Sequence, residues 1–259
     1  MPELREMNAL VTGAGSGIGR AIAVALGRVV ASVALVGRRS AELEAVAAAI
    51  KAAGGRALPL ALDITDFEAV KRAHAAVLAM GAKVDILVNN AGIAESAALE
   101  KTSDALWDKT MAINVRAPYL LTRLFAPAMA ERGFGRIVNI ASIAALEGSA
   151  YTAAYTSSKH GLLGMTRAFS KEFAPRGVTV NAVCPGYTKT AIVERAATNI
   201  SSKTGKDADW AVGELIKNVP IGRLVEPDEV AAAVLYLVSK EAAATSGIAL
   251  TVAGGAAEG

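Results

Sequence analysis

Cysteine and histidine are nearly absent: the chain has one cysteine, Cys184, and two histidines, His74 and His160. A single thiol cannot form an intrachain disulfide, and so few, widely spaced soft ligands do not make a metal site. Cys184 ends an apolar run and reads as a small buried core residue rather than a reactive thiol. Aromatic residues are only 5% of the chain, whereas 53% is hydrophobic. The core must therefore be built from Ala, Val, Leu and Ile, which suits parallel strands buried under closely packed, alanine-rich helices. No apolar run reaches the roughly 20 residues that a membrane span requires; Val230–Val238 is among the longest. The first residues, Met1 to Asn8, carry two glutamates and an arginine and no signal-peptide core. Excess charge is lacking too, with 27 basic against 24 acidic residues and no basic stripe, so no nucleic-acid partner is expected. These absences leave a cytoplasmic protein with no membrane partner.

What the sequence does contain is regular alternation. Its 259 residues suffice for one substantial core. Short β-branched runs predict strands at 9–12, 32–36, 57–62, 86–89, 136–140, 178–183 and 249–252. Amphipathic segments predict helices at 17–28, 41–53, 66–80, 104–130, 153–173 and 227–238. This order specifies an α/β fold: one Rossmann-like domain over 1–259, with a doubly wound parallel sheet of about seven strands and helices on both faces. Gly54-Gly55 should close one helix, and Thr65 or Asp66 should cap the next. Residues 188–218 break the rhythm, with weak periodicity and a polar centre at Thr198–Asp209. They read either as a solvated surface loop or as a mobile lid over substrate. The lid is favoured because the segment follows the C-terminal end of a strand, where such sheets bind ligands.

The first strand runs into Thr12-Gly13-Ala14-Gly15-Ser16-Gly17-Ile18-Gly19 and then a helix. Glycines permit the tight turn and a close backbone approach to phosphates, and the helix N-terminus favours negative charge. The spacing is G-x-x-x-G-x-G rather than G-x-G-x-x-G. In that form it resembles the short-chain dehydrogenase/reductase family, and the resemblance covers nearly the whole chain. It implies a dinucleotide held by Gly13, Ser16, Gly17, Ile18 and Gly19. It also implies a cofactor-side wall and sheet support from Asn90, Ala91 and Gly92 within Asn89-Asn90-Ala91-Gly92, and adenine contacts from Asp63 and Ile64. Pro185 and Gly186 are expected to line the nicotinamide pocket, with Thr188 or Thr190 bonding the carboxamide or a phosphate. After the second strand, Val36-Gly37-Arg38-Arg39-Ser40 has no carboxylate to bond a ribose 2′-hydroxyl. Its arginines can bond a 2′-phosphate at roughly 1.5–3 kcal/mol per charged hydrogen bond. NADPH/NADP+ is thus expected over NAD, with one of the two arginines merely solvating the loop.

Tyr155-Thr156-Ser157-Ser158-Lys159 places a phenol and an ammonium four residues apart on one helix face. A free phenol titrates near about 10, and neighbouring cations favour the phenolate, so Lys159 together with the positive nicotinamide of the oxidised cofactor is expected to tune Tyr155 downward as a proton donor. Ser142, just beyond the strand 136–140, would bond the substrate carbonyl. Asn114 interrupts an apolar helical stretch and reads as a helix-kink or core hydrogen bond, while the family resemblance implies a relay holding water for Lys159, and both can be true. Asn114, Ser142, Tyr155 and Lys159 match the family's catalytic tetrad in order. His160 is read as a surface residue, Trp107 and Trp210 as packing residues, and Glu147 as facing substrate or solvent.

Asn181-Ala182-Val183-Cys184-Pro185-Gly186 and Val219-Pro220-Ile221-Gly222-Arg223 look like the 3-oxoacyl-thioester reductases, close to acyl-carrier-protein reductases and aromatic polyketide ketoreductases. The resemblance implies reduction of a small-molecule ketone or acyl thioester by a homotetramer, with the helices 104–130 and 153–173 pairing between subunits. A dehydrogenase working in the oxidative direction is the alternative, and a non-catalytic NADPH sensor the weaker one. Two positions depart from the family: Arg28-Val29-Val30-Ala31 lacks the usual glycine before the second strand, and Ala253 stands where Asp is common.

Overall fold

The computed structural model describes residues 3–79 and 83–256; Met1, Pro2 and the expected helix end at Met80 lie outside the described residues. Seven parallel strands form one sheet in the order β3-β2-β1-β4-β5-β6-β7. They are β1 (Asn8–Thr12), β2 (Ser32–Gly37), β3 (Ala57–Ala61), β4 (Ile86–Asn89), β5 (Gly135–Ile140), β6 (Val178–Pro185) and β7 (Ala249–Val252). The order reverses between β1 and β4, where Leu10 pairs with Ala34 on one side and Leu87 on the other. Ligands of doubly wound sheets bind outside the strand C-termini at such a reversal. Pro59 cannot donate to a ladder, and it lies on the edge strand β3.

Side chains alternate across the sheet, and each face carries its own core. Helices α1 (Gly17–Gly27), α2 (Ser40–Ala52) and α9 (Pro227–Val238) cover one face, where Ile22, Leu26, Leu43, Ile50 and Leu237 pack with Val11 and Leu35. The other face carries α3 (Phe67–Ala79), α5 (Ala117–Glu131) and α6 (Ala153–Phe173). There Leu121, Phe125, Met129 and Phe173 pack with Leu10, Leu87 and Ile137. Each fully buried aliphatic side chain contributes about 1.5–3 kcal/mol. Cys184 is fully buried on β6, as a core residue should be. Among the described residues no helix is long and apolar enough to cross a membrane.

Local chemistry sets the element ends. Gly54 adopts φ +85° after α2, and the N–H groups of Gly54 and Gly55 bond the carbonyls of Lys51 and Ile50 at 2.9 and 3.0 Å. Asp66 rather than Thr65 caps α3, accepting from the Ala69 N–H at 3.0 Å, while the Thr65 hydroxyl turns back to Asp63. The Arg28–Ala31 turn is rebuilt without a left-handed residue: Val29 and Val30 both donate to Leu26, and Ala31 donates to Met7.

Two expectations change. The helix expected over 104–130 is not uniform: α4 (Asp104–Met111) passes into a π-helical turn, Ala112–Arg116, before α5. Residues 188–218 are not a loop, because they fold as α7 (Ala191–Thr204) and α8 (Ala208–Ile216), joined through Gly205 at φ +69°. Their apolar stripe is thin, with Ala197 and Ala211 buried, and the polar centre faces water, which hides the helical period. Trp107 and Trp210 are 40% and 41% exposed, covered in part by their neighbours.

Candidate active site

Every residue expected to hold the cofactor or perform the chemistry lies at or just beyond the C-terminal edge of the sheet, or on the helices flanking that edge. The glycine loop follows β1, Arg38 and Arg39 follow β2, Asp63 and Ile64 follow β3, and Asn90–Gly92 follow β4. Ser142 follows β5, and Pro185–Thr190 close β6. One parallel sheet thus gathers residues more than 170 positions apart along the chain.

The glycine loop is held from behind. Thr12 accepts from the N–H groups of Asn90 and Ala91, both at 3.0 Å, and the Asn90 amide donates to the carbonyls of Thr12 and Gly13 at 2.9 and 3.3 Å. A methyl at Gly19 would land on the Gly13 carbonyl oxygen and the Asn90 amide, so this position requires glycine. Gly13 and Gly17 adopt φ +66° and +53°, which side chains resist. Across the groove, a methyl at Gly17 would meet Thr190 Cγ2 at 3.1 Å, so Thr190 faces the loop. The Thr190 hydroxyl donates to the Thr188 carbonyl, and the buried Thr188 hydroxyl donates to the Gly186 carbonyl. Gly186 lies against Ala253, whose methyl would be 3.0 Å from a Cβ there.

Both arginines after β2 are exposed, and they face different neighbours. Arg39 donates to Ser16 Oγ at 3.1 Å and pairs with Glu42 at 3.1 Å. Two bonds from Thr65 hold the Asp63 carboxyl below its ordinary range, the backbone N–H contributing most, and the charge of Arg38 acts in the same direction. Ile64 is buried beneath. A backbone cradle open only to glycines, a helix N-terminus and two guanidinium groups form a donor set that fits a phosphorylated dinucleotide.

Two of the four expected catalytic positions, Asn114 and Lys159, meet at Gly92, and the Ser142 hydroxyl bonds the Tyr155 phenol. A Cβ on Gly92 would lie 3.2 Å from Asn114 Oδ1 and 3.6 Å from Lys159 Nζ. Asn114 sits in the π-helical turn, 1% exposed, and both ends of its amide are used. Its Oδ1 accepts from the Ile93 N–H at 2.9 Å, and its Nδ2 donates to the Ile93 carbonyl at 2.9 Å and to Ser158 Oγ at 3.0 Å. Asn114 is thus a core hydrogen-bonding residue within the π-helical turn. π-Helical turns are often found at functional sites because they re-aim one side chain. Ser158 passes the chain of bonds on to the Tyr155 carbonyl at 2.7 Å. Lys159 is buried and donates to the Ile140 carbonyl at 2.8 Å, with its Nζ 5.7 Å from the centroid of the Tyr155 ring. Ser142 begins a short 3₁₀ turn and accepts from the Ala144 N–H at 3.1 Å.

In the protein without cofactor, burial acts against the expected tuning. Burial pushes the Tyr155 phenol above its ordinary range, with the Ser142 hydroxyl acting in the opposite direction. Burial also pushes Lys159 down to about 8, so its own charge is weakened. In the protein alone, desolvation outweighs the tuning expected from the i, i+4 spacing, and Tyr155 is kept protonated. His160 is exposed, with Nδ1 3.0 Å from the Thr156 carbonyl, and Glu147 is exposed as well.

Three contributors escaped the sequence reading: Thr12, Ser158 and Glu42. Thr12 and Ser158 had a usable signal, a hydroxyl residue at a strand end before glycines and one within the Tyr155–Lys159 turn. Glu42 had none, since an exposed acid in a first helical turn is ordinary.

The profile of the short chain dehydrogenase family matches residues 7–201. A Streptomyces coelicolor protein named as a ketoacyl reductase is 39% identical over 249 residues, spanning 95% of this chain and 95% of that protein. A D-threitol dehydrogenase from Mycolicibacterium smegmatis is 38% identical over 248 residues, covering 95% of this chain and 91% of its own. Among solved structures, a variant of actinorhodin polyketide ketoreductase with NADPH superposes with a TM-score of 0.94 at 37% identity, covering 100% of both chains.

Proposed function

The chain belongs to the short-chain dehydrogenase family, and from that premise we propose that it reduces the ketone of a 3-oxoacyl thioester or a related carbonyl compound to a secondary alcohol, with NADPH as reductant. The observation that carries this reading is the meeting of Asn114 and Lys159 at Gly92, one helical turn from Tyr155. The relatives named as ketoacyl reductase and the NADPH-bound polyketide ketoreductase support it.

When bound, NADPH supplies the hydride. Gly13, Ser16, Gly17, Ile18 and Gly19 would hold its pyrophosphate, Arg38 and Arg39 its 2′-phosphate, and Asp63 and Ile64 its adenine. Asn90, Ala91 and Gly92 would wall one side of the nicotinamide end, and Pro185, Gly186, Thr188 and Thr190 the other. The Ser142 hydroxyl donates to the substrate carbonyl oxygen and fixes its position. Tyr155, kept protonated by burial, gives its phenolic proton to that oxygen as negative charge develops there. Lys159, held by the Ile140 carbonyl, then faces the phenolate. Asn114 locks the Ile93 backbone and, through Ser158, the start of α6, so that Lys159 and Tyr155 keep their spacing. Helices α7 and α8, within residues 188–218, act as a lid over the substrate in a cytoplasmic enzyme.

NADPH oxidation followed by absorbance, with acetoacetyl-CoA and with trans-1-decalone, tests the reading. Turnover with NADPH and little with NADH is expected. Tight NADPH binding without turnover of any ketone would shift the function to a sensor. The D-threitol dehydrogenase relative favours a second reading, oxidation of a secondary alcohol; faster NADP+ or NAD+ reduction with polyols than ketone reduction would establish it.

We also propose a homotetramer. An apolar groove of about 360 Å³ between α4, the π-helical turn, α5 and α6 is lined by Met111, Val115, Tyr119 and Met165, with Asp108 and Arg116 beside them. Its opposite charges are those that a twofold-related copy would pair. Sedimentation velocity should give the mass of four chains, and a fully active monomer would remove the assembly from the reading.

A further inference from the structure

The arginine nearest the glycine loop is already engaged. The Arg39 guanidinium spans two partners, Ser16 Oγ at 3.1 Å through Nη2 and Glu42 Oε1 at 3.1 Å through Nη1. Glu42 is not a wandering surface acid. It lies in the first turn of α2, and a Cβ on Gly15 would meet the Glu42 Cβ at 3.1 Å, so its stem is pressed against the glycine loop. Leu43 beside it is fully buried against Gly15 and Gly37, which anchors that turn of the helix. The Glu42 carboxylate, 38% exposed, is therefore kept at the rim of the groove between the ends of β1 and β2. Of the two arginines there, Arg39 is the one paired with an acid on its own element, while Arg38 faces Asp63 from the neighbouring strand end.

We propose that Glu42 sets how strongly this chain prefers a 2′-phosphorylated dinucleotide, by holding Arg39 in an ion pair that the phosphate must compete for. The inference rests on the reading of NADPH as the cofactor. A doubly charged 2′-phosphate entering beside Ser16 meets a guanidinium with one edge occupied, and a carboxylate close to its own charge. Both effects weaken the phosphorylated cofactor, and neither acts on the uncharged 2′-hydroxyl of NADH. The strand end lacks a carboxylate that would reject the phosphate, yet the first helical turn returns one at arm's length. Preference for NADPH is thus moderated, and its size depends on this pair. Glu42 touches neither substrate nor the reacting atoms, so it acts as a positioning and specificity residue.

The test is calorimetric and needs no turnover. NADPH, NADH, 2′,5′-ADP and 5′-AMP are titrated into wild type, Glu42→Gln, Arg39→Ala and the double variant. Glu42→Gln should tighten NADPH and 2′,5′-ADP by about three- to fivefold, the affinity equivalent of releasing one exposed ion pair, and leave NADH and 5′-AMP unchanged. In the Arg39→Ala background the same substitution should lose most of that gain. A Glu42→Gln that weakens NADPH, leaves it unchanged, or tightens all four ligands alike overturns the proposal. If the wild-type protein binds 2′,5′-ADP no better than 5′-AMP, the NADPH reading itself fails, and that result is distinct from failure of the Glu42 inference.

Discussion

Tyr155→Phe is expected to lower kcat for ketone reduction about 10²- to 10⁴-fold, the usual contribution of a positioned general acid, while NADPH affinity stays within about twofold. That loss corresponds to roughly 3–5 kcal/mol of transition-state stabilisation. The substitution removes one oxygen and keeps the ring, and the Tyr155 carbonyl still accepts from Ser158. Packing and the start of α6 are therefore preserved, and the effect isolates the proton. Burial keeps the phenol protonated in the protein alone, which is the form a donor must have before hydride arrives. A variant that reduces ketone at near wild-type rate with normal NADPH affinity would remove Tyr155 as the acid and leave Ser142 or solvent in its place.

Gly19→Ala should both destabilise the protein and abolish tight NADPH binding. The added methyl falls on the Gly13 carbonyl oxygen and the Asn90 amide, and neither can yield cheaply. Asn90 is tied to Thr12 and Gly13, and Thr12 in turn to the backbone of Asn90 and Ala91. Overpacking of this kind costs about 1–3 kcal/mol or more, a fall in Tm of roughly 3–10 °C for a chain of this size. The groove that should receive the pyrophosphate moves with the loop, so a dinucleotide titration loses affinity as well. Unchanged Tm and unchanged NADPH affinity in Gly19→Ala would refute the tight-loop account.

Both predictions use residues that local pattern had already marked, because their chemistry depends on short-range spacing. Glycines four and two apart between a strand and a helix, or a phenol and an amine one turn apart, have the same meaning before and after folding. The seven strands and most helices were legible for the same reason, since the alternation of buried and exposed positions is written along the chain. Helices α7 and α8 were not, because their buried stripe is little more than a few alanines and valines while most of their surface is polar.

Sequence by itself determined the sheet, the glycine cradle, and the four side chains expected to perform the chemistry. Folding decided which side chains meet and in what charge state. The π-helical turn that aims Asn114 at Ile93 and Ser158 arises from bonds between residues 21 and 44 positions apart. No local signal encodes it. Whether Lys159 lowers Tyr155, or burial raises it, depends on how much water the closed sheet edge excludes, and in the protein alone exclusion prevails. The bond from Arg39 to Ser16 likewise exists only once β1, β2 and α2 have packed, whereas its pair with Glu42 lies within one helical turn. Spacing along the chain fixes which groups are available, whereas desolvation and long-range pairing fix what those groups do.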